Sequence, residues 1–416
     1  MITSTSTVRA RTDGWRKALA PRAAGVVYAF LLLLVILTVT SAAQGRPSYL
    51  SSVNLSNILD QASLIAILAI FMTVVLISGN FDLSVASTAA LSGTVALKLI
   101  DRHGVLIALV AALLTGALVG LVNAVLVQKV GVNAFIVTLG TLTAVRGVVQ
   151  AILDGQSITA QNTALLDFAT ARWSLPTAVA IVLGLLLLAA AAFLISRNAT
   201  VLGTAGLWVS GLALVLIAGL RPLLLTQTAP VWIMLVLATV TSLVLRFTVL
   251  GRNLYAVGGN AEAARLSGID VDRYKMGAFV VNGTVAAVVG VLYAGRFNSV
   301  DPTVLTGGEL TVIAAAVLGG TSLFGGSGFV AKSVVGTLIL FTLSNGFNVL
   351  NIGSNYQNVV QGSVLVAAAS LYTATSAKER RSFRERLARR KGSGRPVGDD
   401  PAGDVVNPAP AEPSLP

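Results

Sequence analysis

The side chains that most often carry out catalysis are scarce in this chain. It contains no cysteine and a single histidine, His103, which lies in the short polar segment 101–104. Serine–histidine catalysis needs a positioned histidine with a carboxylate partner, and thiolate or imidazole metal sites need several such ligands. Disulfides are excluded, and hydrolytic or metal-dependent chemistry is disfavoured.

A glycine-rich stretch, residues 318–328, looks at first like a phosphate-binding loop. Four residues separate Gly320 from Gly325, as in that motif, but Gly326 occupies the position where the motif needs lysine. Without the lysine, the phosphate charge would lack its partner. We therefore predict a tight turn between helices and no cofactor bound by this chain, so that any ATP and Mg²⁺ belong to a partner ATPase.

Two acidic residues stand beside long apolar runs. Asp82 interrupts two of these runs, and a charge at membrane depth is costly unless it is paired or caps a broken helix. It could therefore cap the helix that begins near Leu83, or line a polar path. Glu309 stands at a helix start, where it could favour the helix dipole or contact a solute or a docked protein.

Neutral polar residues within the apolar runs have the same two interpretations. They could bond to neighbouring turns and helices, or they could face a sugar-like solute. Asn345, Asn348 and Asn351 have three-residue spacing and are predicted to share one helix face. The candidate translocation residues are Asp82, Asn133, Thr138, Thr141, Asn282, Glu309, Asn345 and Asn348.

The composition indicates a membrane protein. Of 416 residues 55% are hydrophobic and 11% are charged, whereas soluble domains carry about 25% charged residues. We predict an all-α, polytopic transmembrane bundle of about 10–12 spans. The predicted segments are Ala24–Ala43, Ile58–Ser78, Leu83–Ile100, Val105–Val127, Ala134–Leu153, Leu175–Ile195, Leu202–Leu220, Val231–Val249, Met276–Gly295, Leu310–Leu318 (short, a possible half-helix), Val330–Phe347 and Tyr356–Thr373.

The basic residues are concentrated at the two ends of the chain. Five of the 29 Lys and Arg residues precede Gly25, and nine lie between residues 378 and 395. Because basic flanks mark the cytoplasmic side, both termini are predicted to be cytoplasmic. The predicted organisation is a basic tail (1–23), a permease domain (24–373), a basic amphipathic helix (374–391) and a disordered tail (392–416).

A polar island, residues 250–275, separates two apolar blocks. Asn260 can cap a short helix, Glu262 falls in its first turn, and Gly268 can take the left-handed conformation that ends it. Such a short helix is unstable alone and needs its flanks or a partner. The even number of preceding spans places the island in the cytoplasm, as do its basic residues.

Several stretches in order resemble the ribose/xylose/branched-chain amino-acid permease family of bacterial ABC importers. The similarity covers about residues 54–373, apart from a stretch near 174–230, and is strongest to the monosaccharide permeases. The stretches are Asp82-Leu83-Ser84-Val85, Val119-Gly120-Leu121-Val122-Asn123, Phe135-Ile136-Val137-Thr138-Leu139-Gly140-Thr141, Gly258-Gly259-Asn260 with Glu262-Ala263-Ala264-Arg265-Leu266-Ser267-Gly268, and Leu318-Gly319-Gly320-Thr321-Ser322-Leu323-Phe324-Gly325-Gly326.

This resemblance implies a function. The chain would be the permease subunit of an importer in the bacterial inner membrane, without enzymatic activity. It would carry a monosaccharide, such as xylose or ribose, as a homodimer in membrane lipid, supplied by an extracytoplasmic sugar-binding protein. An ATPase subunit would dock on a coupling helix that includes Asn260, Glu262, Ala263, Ala264, Arg265 and Gly268. The extra apolar pair at 175–220 looks like that of the longer, xylose-type permeases.

Departures from the family pattern leave the substrate open. Asn80 and Phe81 stand where Gly-Ile is usual, Ala86 where glycine is common, and Thr311 where aspartate is frequent. A branched-chain amino acid, a nucleoside or an autoinducer sugar is an alternative solute. An ion-coupled secondary transporter would rely on Asp82 and Arg146 as relay residues. An integral membrane enzyme would need an acid–base or metal cluster that the sequence does not offer.

Overall fold

A computed structural model describes residues 21–196 and 201–353, together with isolated positions between 356 and 366. All of these residues belong to one structural unit. Nearly all of the predicted tail 1–23, most of the predicted span Tyr356–Thr373, the predicted basic helix 374–391 and the tail 392–416 lie outside the described residues.

Helices make up most of the described chain. They are α1 (Pro21–Ala43), α2 (Ser52–Ile77), α3 (Val85–Gln128), α4 (Ala134–Leu153), α5 (Ala164–Thr170), α6 (Thr177–Ser196), α7 (Val201–Leu220), α8 (Ala229–Phe247), α9 (Val249–Gly259), α10 (Ala261–Leu266), α11 (Val271–Phe297), α12 (Gly308–Leu318) and α13 (Val330–Val349), with a 3₁₀ helix at Pro222–Leu225.

Two short antiparallel strand pairs join distant parts of the bundle. Strand β1 (Ile158–Thr159) pairs with β4 (Ser299–Val300). Strand β2 (Arg172–Ser174) pairs with β3 (Thr226–Thr228), with Ser174 opposite Thr226. The β2–β3 pair therefore closes the base of the α6–α7 hairpin.

Eight of the described helices are long and apolar enough to cross a membrane: α1, α2, α3, α4, α6, α8, α11 and α13. Shorter apolar helices are α12 and the Ser210–Leu220 part of α7. The prediction of an all-α, polytopic membrane bundle is confirmed.

The two predicted spans Leu83–Ile100 and Val105–Val127 are joined by a tight reversal of the chain. They are the two arms of α3, which fold back on each other, because Asn123 in the second arm donates to the Ser84 hydroxyl at the start of the first at 2.9 Å. The chain reverses at Gly104, whose φ of 78° and ψ of 172° are not helical. Only glycine adopts such angles readily.

Helix α2 lies at the centre of the bundle. Almost every side chain from Ala62 to Ile77 is buried, and α2 packs against α8, α11, α12 and α13. A helix that is apolar on all sides suits such a position. The end of α2 is therefore surrounded by the elements that can move it.

Helices α3 and α11 are in close contact along their lengths. A Cβ atom at Gly116 would overlap the carbonyl oxygen of Gly283, and one at Gly93 would lie 2.7 Å from the carbonyl oxygen of Gly290. Gly116 and Gly120 form a small-xxx-small pattern, which lets the two helices approach closely. This contact positions the polar residues described next.

Candidate translocation and coupling site

The carboxylate of Asp82 lies in the break between α2 and α3, and its residue is 1% exposed. Its Oδ1 accepts hydrogen bonds from the backbone N–H of Ser84 at 2.9 Å and from the Ser84 hydroxyl at 2.6 Å. Ser84 is the N-cap residue of α3, so Asp82 fixes the turn that leads into the helix instead of capping the helix itself. A buried carboxylate needs such donors because burial removes its hydration.

Three neutral side chains from three helices join this carboxylate. Asn282 donates to Asp82 Oδ2 at 3.0 Å. Asn123 donates to the Ser84 hydroxyl at 2.9 Å and accepts from the Thr141 hydroxyl at 2.7 Å. We call Asp82, Ser84, Asn123, Thr141 and Asn282 the polar cluster.

The polar cluster lies near the middle of the bundle. At 1.5 Å per residue, Asn282 is about 16 Å from the start of α11 at Val271 and about 22 Å from its end at Phe297. Asp82 takes part in none of the ion pairs formed by the described residues. Among the described residues, the hydrogen-bond partners of Asp82 are neutral donors, as suits a low-dielectric position.

The polar cluster retains some capacity for further hydrogen bonds. Within the described ranges, Asn282 Oδ1 is a buried acceptor without a partner. Asp82, Asn123 and Asn282 are buried, whereas Thr141 keeps part of its surface exposed. Because a hydroxyl oxygen can accept after it has donated, Thr141 can still receive a hydrogen bond from a solute.

The structure separates the other candidates on α4 from this cluster. Asn133 caps α4 by accepting from the Phe135 N–H at 2.9 Å, and it is exposed. The Thr138 hydroxyl donates to the Ala134 carbonyl at 2.8 Å, within the same helix. Both contacts match the local interpretation of these residues.

The three asparagines of α13 do not form a common face, so that prediction was wrong. Asn345 is buried and donates to Asn54 Oδ1 on α2 at 3.0 Å, whereas Asn348 is exposed. Asn351 follows the end of the helix, with a φ of 53°. A helical spacing brings side chains together only where the helix continues.

Hydrogen bonds from the loop before α2 also join α13 to α2, next to the contact of Asn345 with Asn54. Asn54 donates to the Tyr49 carbonyl at 2.9 Å, and the Tyr49 hydroxyl donates to the Thr342 carbonyl at 2.9 Å. Burial raises the pKa of the Tyr49 phenol well above its ordinary value. Tyr49 therefore stays a neutral donor that holds α13 to α2.

Glu309 lies in the first turn of α12, as predicted, and is half-buried. Its Oε2 is buried without a partner among the described residues. Arg146, the proposed relay residue of the ion-coupled alternative, donates to the Val304 carbonyl at 2.6 Å. The polar cluster contains neither residue.

The sequence does not predict the ion pair between Asp60 and Arg296. Arg296 Nη2 lies 2.6 Å from Asp60 Oδ2, and the Thr228 hydroxyl donates to Asp60 Oδ1 at 2.5 Å. The pair links α2, β3 and α11. Asp60 and Arg296 are 236 residues apart, and neither carries a local motif that announces the contact.

Helix α10 has the predicted caps. Asn260 Oδ1 accepts from the Ala263 N–H at 3.0 Å, and Gly268 has a φ of 80°. Glu262, Ala263 and Arg265 are exposed, while Ala264 is buried. The buried position packs with Val257 and Val271, so the exposed face is left for a partner.

Salt bridges fix the chain that follows α10. Arg265 Nη2 lies 2.7 Å from Asp272 Oδ1, and Lys129 Nζ lies 3.4 Å from Asp272 Oδ2. These exposed pairs contribute modestly to stability. They nevertheless join α10, the start of α11 and the end of α3 at one end of the bundle.

The glycine-rich loop between α12 and α13 reaches the start of α10. The Gly326 N–H donates to the Ile77 carbonyl at 2.9 Å. A Cβ atom at Gly258 would overlap that same carbonyl oxygen, and one at Gly326 would lie 2.6 Å from the Gly259 Cα. We call Gly258, Gly259, Gly325 and Gly326 the glycine junction.

Comparisons with known proteins identify the family of this bundle. Residues 54–369 match the family model described as the permease component of a branched-chain amino acid transport system. The matched range contains the polar cluster, α10 and the glycine junction. The chain belongs to this permease family.

Curated relatives of the permease include sugar transporters. The ribose import permease protein of Escherichia coli K12 is 36% identical over 81% of this chain and 90% of its own length. The L-arabinose ABC transporter permease protein of Azospirillum brasilense is 32% identical over 86% and 89%. The xylose transport system permease protein of Escherichia coli K12 is 34% identical over 79% and 86%.

The predicted resemblance to ribose- and xylose-type ABC permeases is confirmed by these relatives. The permease is a transport subunit of the bacterial inner membrane, and its family works with an ATPase subunit and a sugar-binding protein. The ion-coupled and enzymatic alternatives are not supported. No solved structure matches the chain.

Proposed function

We propose that this permease carries a pentose across the inner membrane, driven by ATP that a separate subunit hydrolyses. The observation that carries the proposal is the family match over residues 54–369, together with relatives whose names specify ribose, L-arabinose and xylose. All three sugars are neutral and rich in hydroxyls. The path through the bundle therefore has to offer hydrogen bonds and no charge.

The polar cluster suits such a solute. Its amides and hydroxyls lie near the middle of the bundle, and the carboxylate of Asp82 is satisfied by donors within the cluster. Thr141, which is partly exposed, is the member placed to meet a sugar hydroxyl. Asn123 holds the Thr141 side chain by its hydroxyl, and Asn282 holds Asp82 behind it.

The coupling helix is proposed to be α10. Asn260, Glu262, Ala263, Ala264, Arg265 and Gly268 build a capped helix with an exposed face at one end of the bundle. ATP and Mg²⁺ bind to the ATPase that docks there, and this chain supplies no group to either. Placement of this end in the cytoplasm agrees with the basic residues around it.

The remaining partners follow from the surface of the bundle. Apolar side chains such as Ile136, Leu186 and Val236 are exposed on the long helices, where they contact lipid or a second copy of the permease. We propose a homodimer around a shared pathway. Closure of the ATPases moves α10, and the bundle changes between outward- and inward-open states.

Uptake by whole cells tests the transport proposal. Cells carrying the permease, its ATPase and its binding protein receive labelled xylose, ribose, L-arabinose or a branched-chain amino acid, with and without the ATPase. We expect uptake of one pentose to disappear without the ATPase. Uptake of the amino acid alone would replace the pentose proposal, and uptake that persists without the ATPase would contradict ABC import.

A further inference from the structure

Two apolar side chains are exposed more than any other large apolar residue that the structure describes. Leu266, the last residue of α10, is 85% exposed, and Phe324, in the loop between α12 and α13, is 90% exposed. Side chains on the long apolar helices reach at most 75%, at Leu106. Leu266 and Phe324 therefore protrude from their surroundings.

Neither side chain lies on a membrane-spanning helix. Leu266 is followed by Ser267 and Gly268, and Phe324 stands in a short loop between Leu323 and two glycines. Contact with the hydrocarbon of the bilayer therefore does not account for their exposure. Contiguous exposed apolar surface marks interaction sites, and Leu323, which is 41% exposed, extends the apolar surface at Phe324.

The two segments are held together by backbone contacts. The glycine junction places Gly326 against Gly259, and Gly259 directly precedes the N-cap residue of α10. The Tyr255 hydroxyl also donates to the Gly328 carbonyl at 2.8 Å, which ties α9 to the far end of the loop. The loop and α10 thus form one surface.

Helix α10 is small for a docking site on its own. Its six residues extend only about 9 Å, whereas a stable protein interface buries roughly 800 Å² on each partner. An adjoining segment that carries an exposed phenylalanine supplies additional area and an anchor. Continuity with the start of α10 through the glycine junction points to the same partner for the loop.

We propose that loop 322–326 is a second docking element for the ATPase subunit, with Phe324 and Leu266 as the two apolar anchors. This inference rests on the proposed role of α10 as the coupling helix. It adds a contact that also touches the end of α2, since Gly326 donates to the Ile77 carbonyl. The ATPase would then act on α2 directly as well as through α10.

Single cysteines test the surface, because the natural chain contains none. Phe324→Cys and Leu266→Cys permeases are placed in nanodiscs, which leave both faces accessible, and exposed to a charged maleimide, with and without added ATPase subunit. We expect both positions to react freely alone and to react at least about tenfold more slowly in the complex. Phe297→Cys, at the opposite end of α11, is the control that the ATPase does not protect.

Each other pattern of protection decides between the two proposals. Protection at position 266 without protection at 324 overturns the second docking element and leaves the role of α10 intact. Lack of protection at position 266, with or without protection at 324, contradicts the docking proposal for α10 itself. Lack of reaction at 324 in the absence of the ATPase would place the side chain in lipid, which also overturns the inference.

Affinity provides an independent measurement. Phe324→Ala is expected to weaken ATPase binding to the full permease in nanodiscs by about tenfold, as truncation of an interface anchor does. Phe297→Ala is the matched control with unchanged affinity, and equal melting temperatures of the three proteins exclude misfolding. Unchanged binding of Phe324→Ala, with Leu266→Ala weakened, would again reject the loop alone.

Discussion

Asp82 is an unusual residue for this bundle because it is acidic and buried. Its carboxylate is fully buried and is stabilised by donors from Ser84 and Asn282 rather than by a cation. Such a group is costly to leave unsatisfied, so its donors contribute to the stability of the break between α2 and α3.

Removal of either partner is expected to destabilise the bundle. Asp82→Ala and Asn282→Ala should each lower the free energy of unfolding by about 2–3 kcal/mol, because each leaves a buried polar group unpaired. The double variant should cost at least about 1 kcal/mol less than the sum of the two. Unfolding of the purified permease in detergent measures all three values.

Asn348 provides the control for this double-mutant cycle of Asp82 and Asn282. It is exposed at the end of α13, so Asn348→Ala should change stability by less than about 0.5 kcal/mol. Strict additivity of the Asp82 and Asn282 variants would contradict the polar cluster as a coupled unit. A large effect at Asn348 would indicate that truncation of any asparagine is costly in this protein.

At this scale, the sequence predicted residue types better than partners. The local contact of Asp82 with Ser84 was predictable because an acidic residue before a helix accepts from nearby backbone N–H groups. The contact of Thr141 with Asn123 was not, since Thr138 has the same chemistry three residues earlier and bonds its own helix. Only the packing of α3 against α4 distinguishes the two hydroxyls.

At the scale of elements, the glycine junction controls the approach of α9 to α2. Gly258 and Gly259 are adjacent and chemically identical, yet their surroundings differ. A side chain at Gly258 would overlap the Ile77 carbonyl, whereas the nearest atom to a Cβ at Gly259 is 4.0 Å away. Movement of α10 must pass through this contact to reach the end of α2.

The two glycines form a matched pair of substitutions. Gly258→Ala should lower sugar uptake by at least about tenfold, because the added methyl forces α9 away from α2. Gly259→Ala should retain uptake within about twofold. Uptake is measured at equal membrane abundance, together with ATP hydrolysis, and equal loss in both variants would argue against a specific contact at Gly258.

Helix α10 can be tested separately from the junction. Glu262→Arg and Gly268→Pro should abolish uptake while the permease stays folded in the membrane, because they alter the exposed face and the left-handed end of α10. Retention of the ATPase during purification gives a second readout. Arg102→Glu, a charge reversal on an exposed residue of α3 outside this surface, should leave that retention unchanged.

Helix bounds followed from apolar runs where polar residues cap the ends. The predicted and observed bounds of α4 agree at Ala134–Leu153, which Asn133 caps. The strand pairs were missed because two- and three-residue strands are too short to show an alternating pattern. The two arms of α3 were predicted as separate spans, but the sequence does not reveal that residues 101–103 keep helical geometry up to the reversal at Gly104.

At the scale of the whole molecule, α6 and α7 stand apart from the rest. They pack against each other at Gly184 and Gly211 and, within the described residues, make few contacts with other long helices. The pair enters and leaves the bundle at the β2–β3 strands. Removal of two antiparallel spans keeps the orientation of every later helix.

We therefore predict that α6 and α7 can be deleted from the permease. Residues 175–225 are deleted, and Ser174 is joined to its cross-strand neighbour Thr226 through an Asn-Gly turn. We expect the shortened permease to reach the membrane and to keep uptake within about fivefold. Measured abundance and uptake check this, and loss of insertion would indicate that α6 and α7 are required for assembly.

Different forces determine the architecture of the helical bundle and its assembly with other chains. Composition alone predicted a polytopic helical bundle, because the bilayer dictates span length and internal hydrogen bonding. Assembly with other chains is not determined in this way. Leu266 and Phe324 illustrate this, since their sequences look ordinary and only exposure measured in three dimensions distinguishes them.

The contact between Asp82 and Asn282 also constrains how the permease is made. Asn282 lies 200 residues after Asp82, so at ~5–20 residues per second the ribosome supplies it about 10–40 s later. During that interval, the carboxylate has Ser84 but lacks its donor from α11. We therefore expect the break between α2 and α3 to reach its final packing only after α11 has been inserted, and a chain that ends before Asn282 to leave the Asp82 carboxylate without one of its donors.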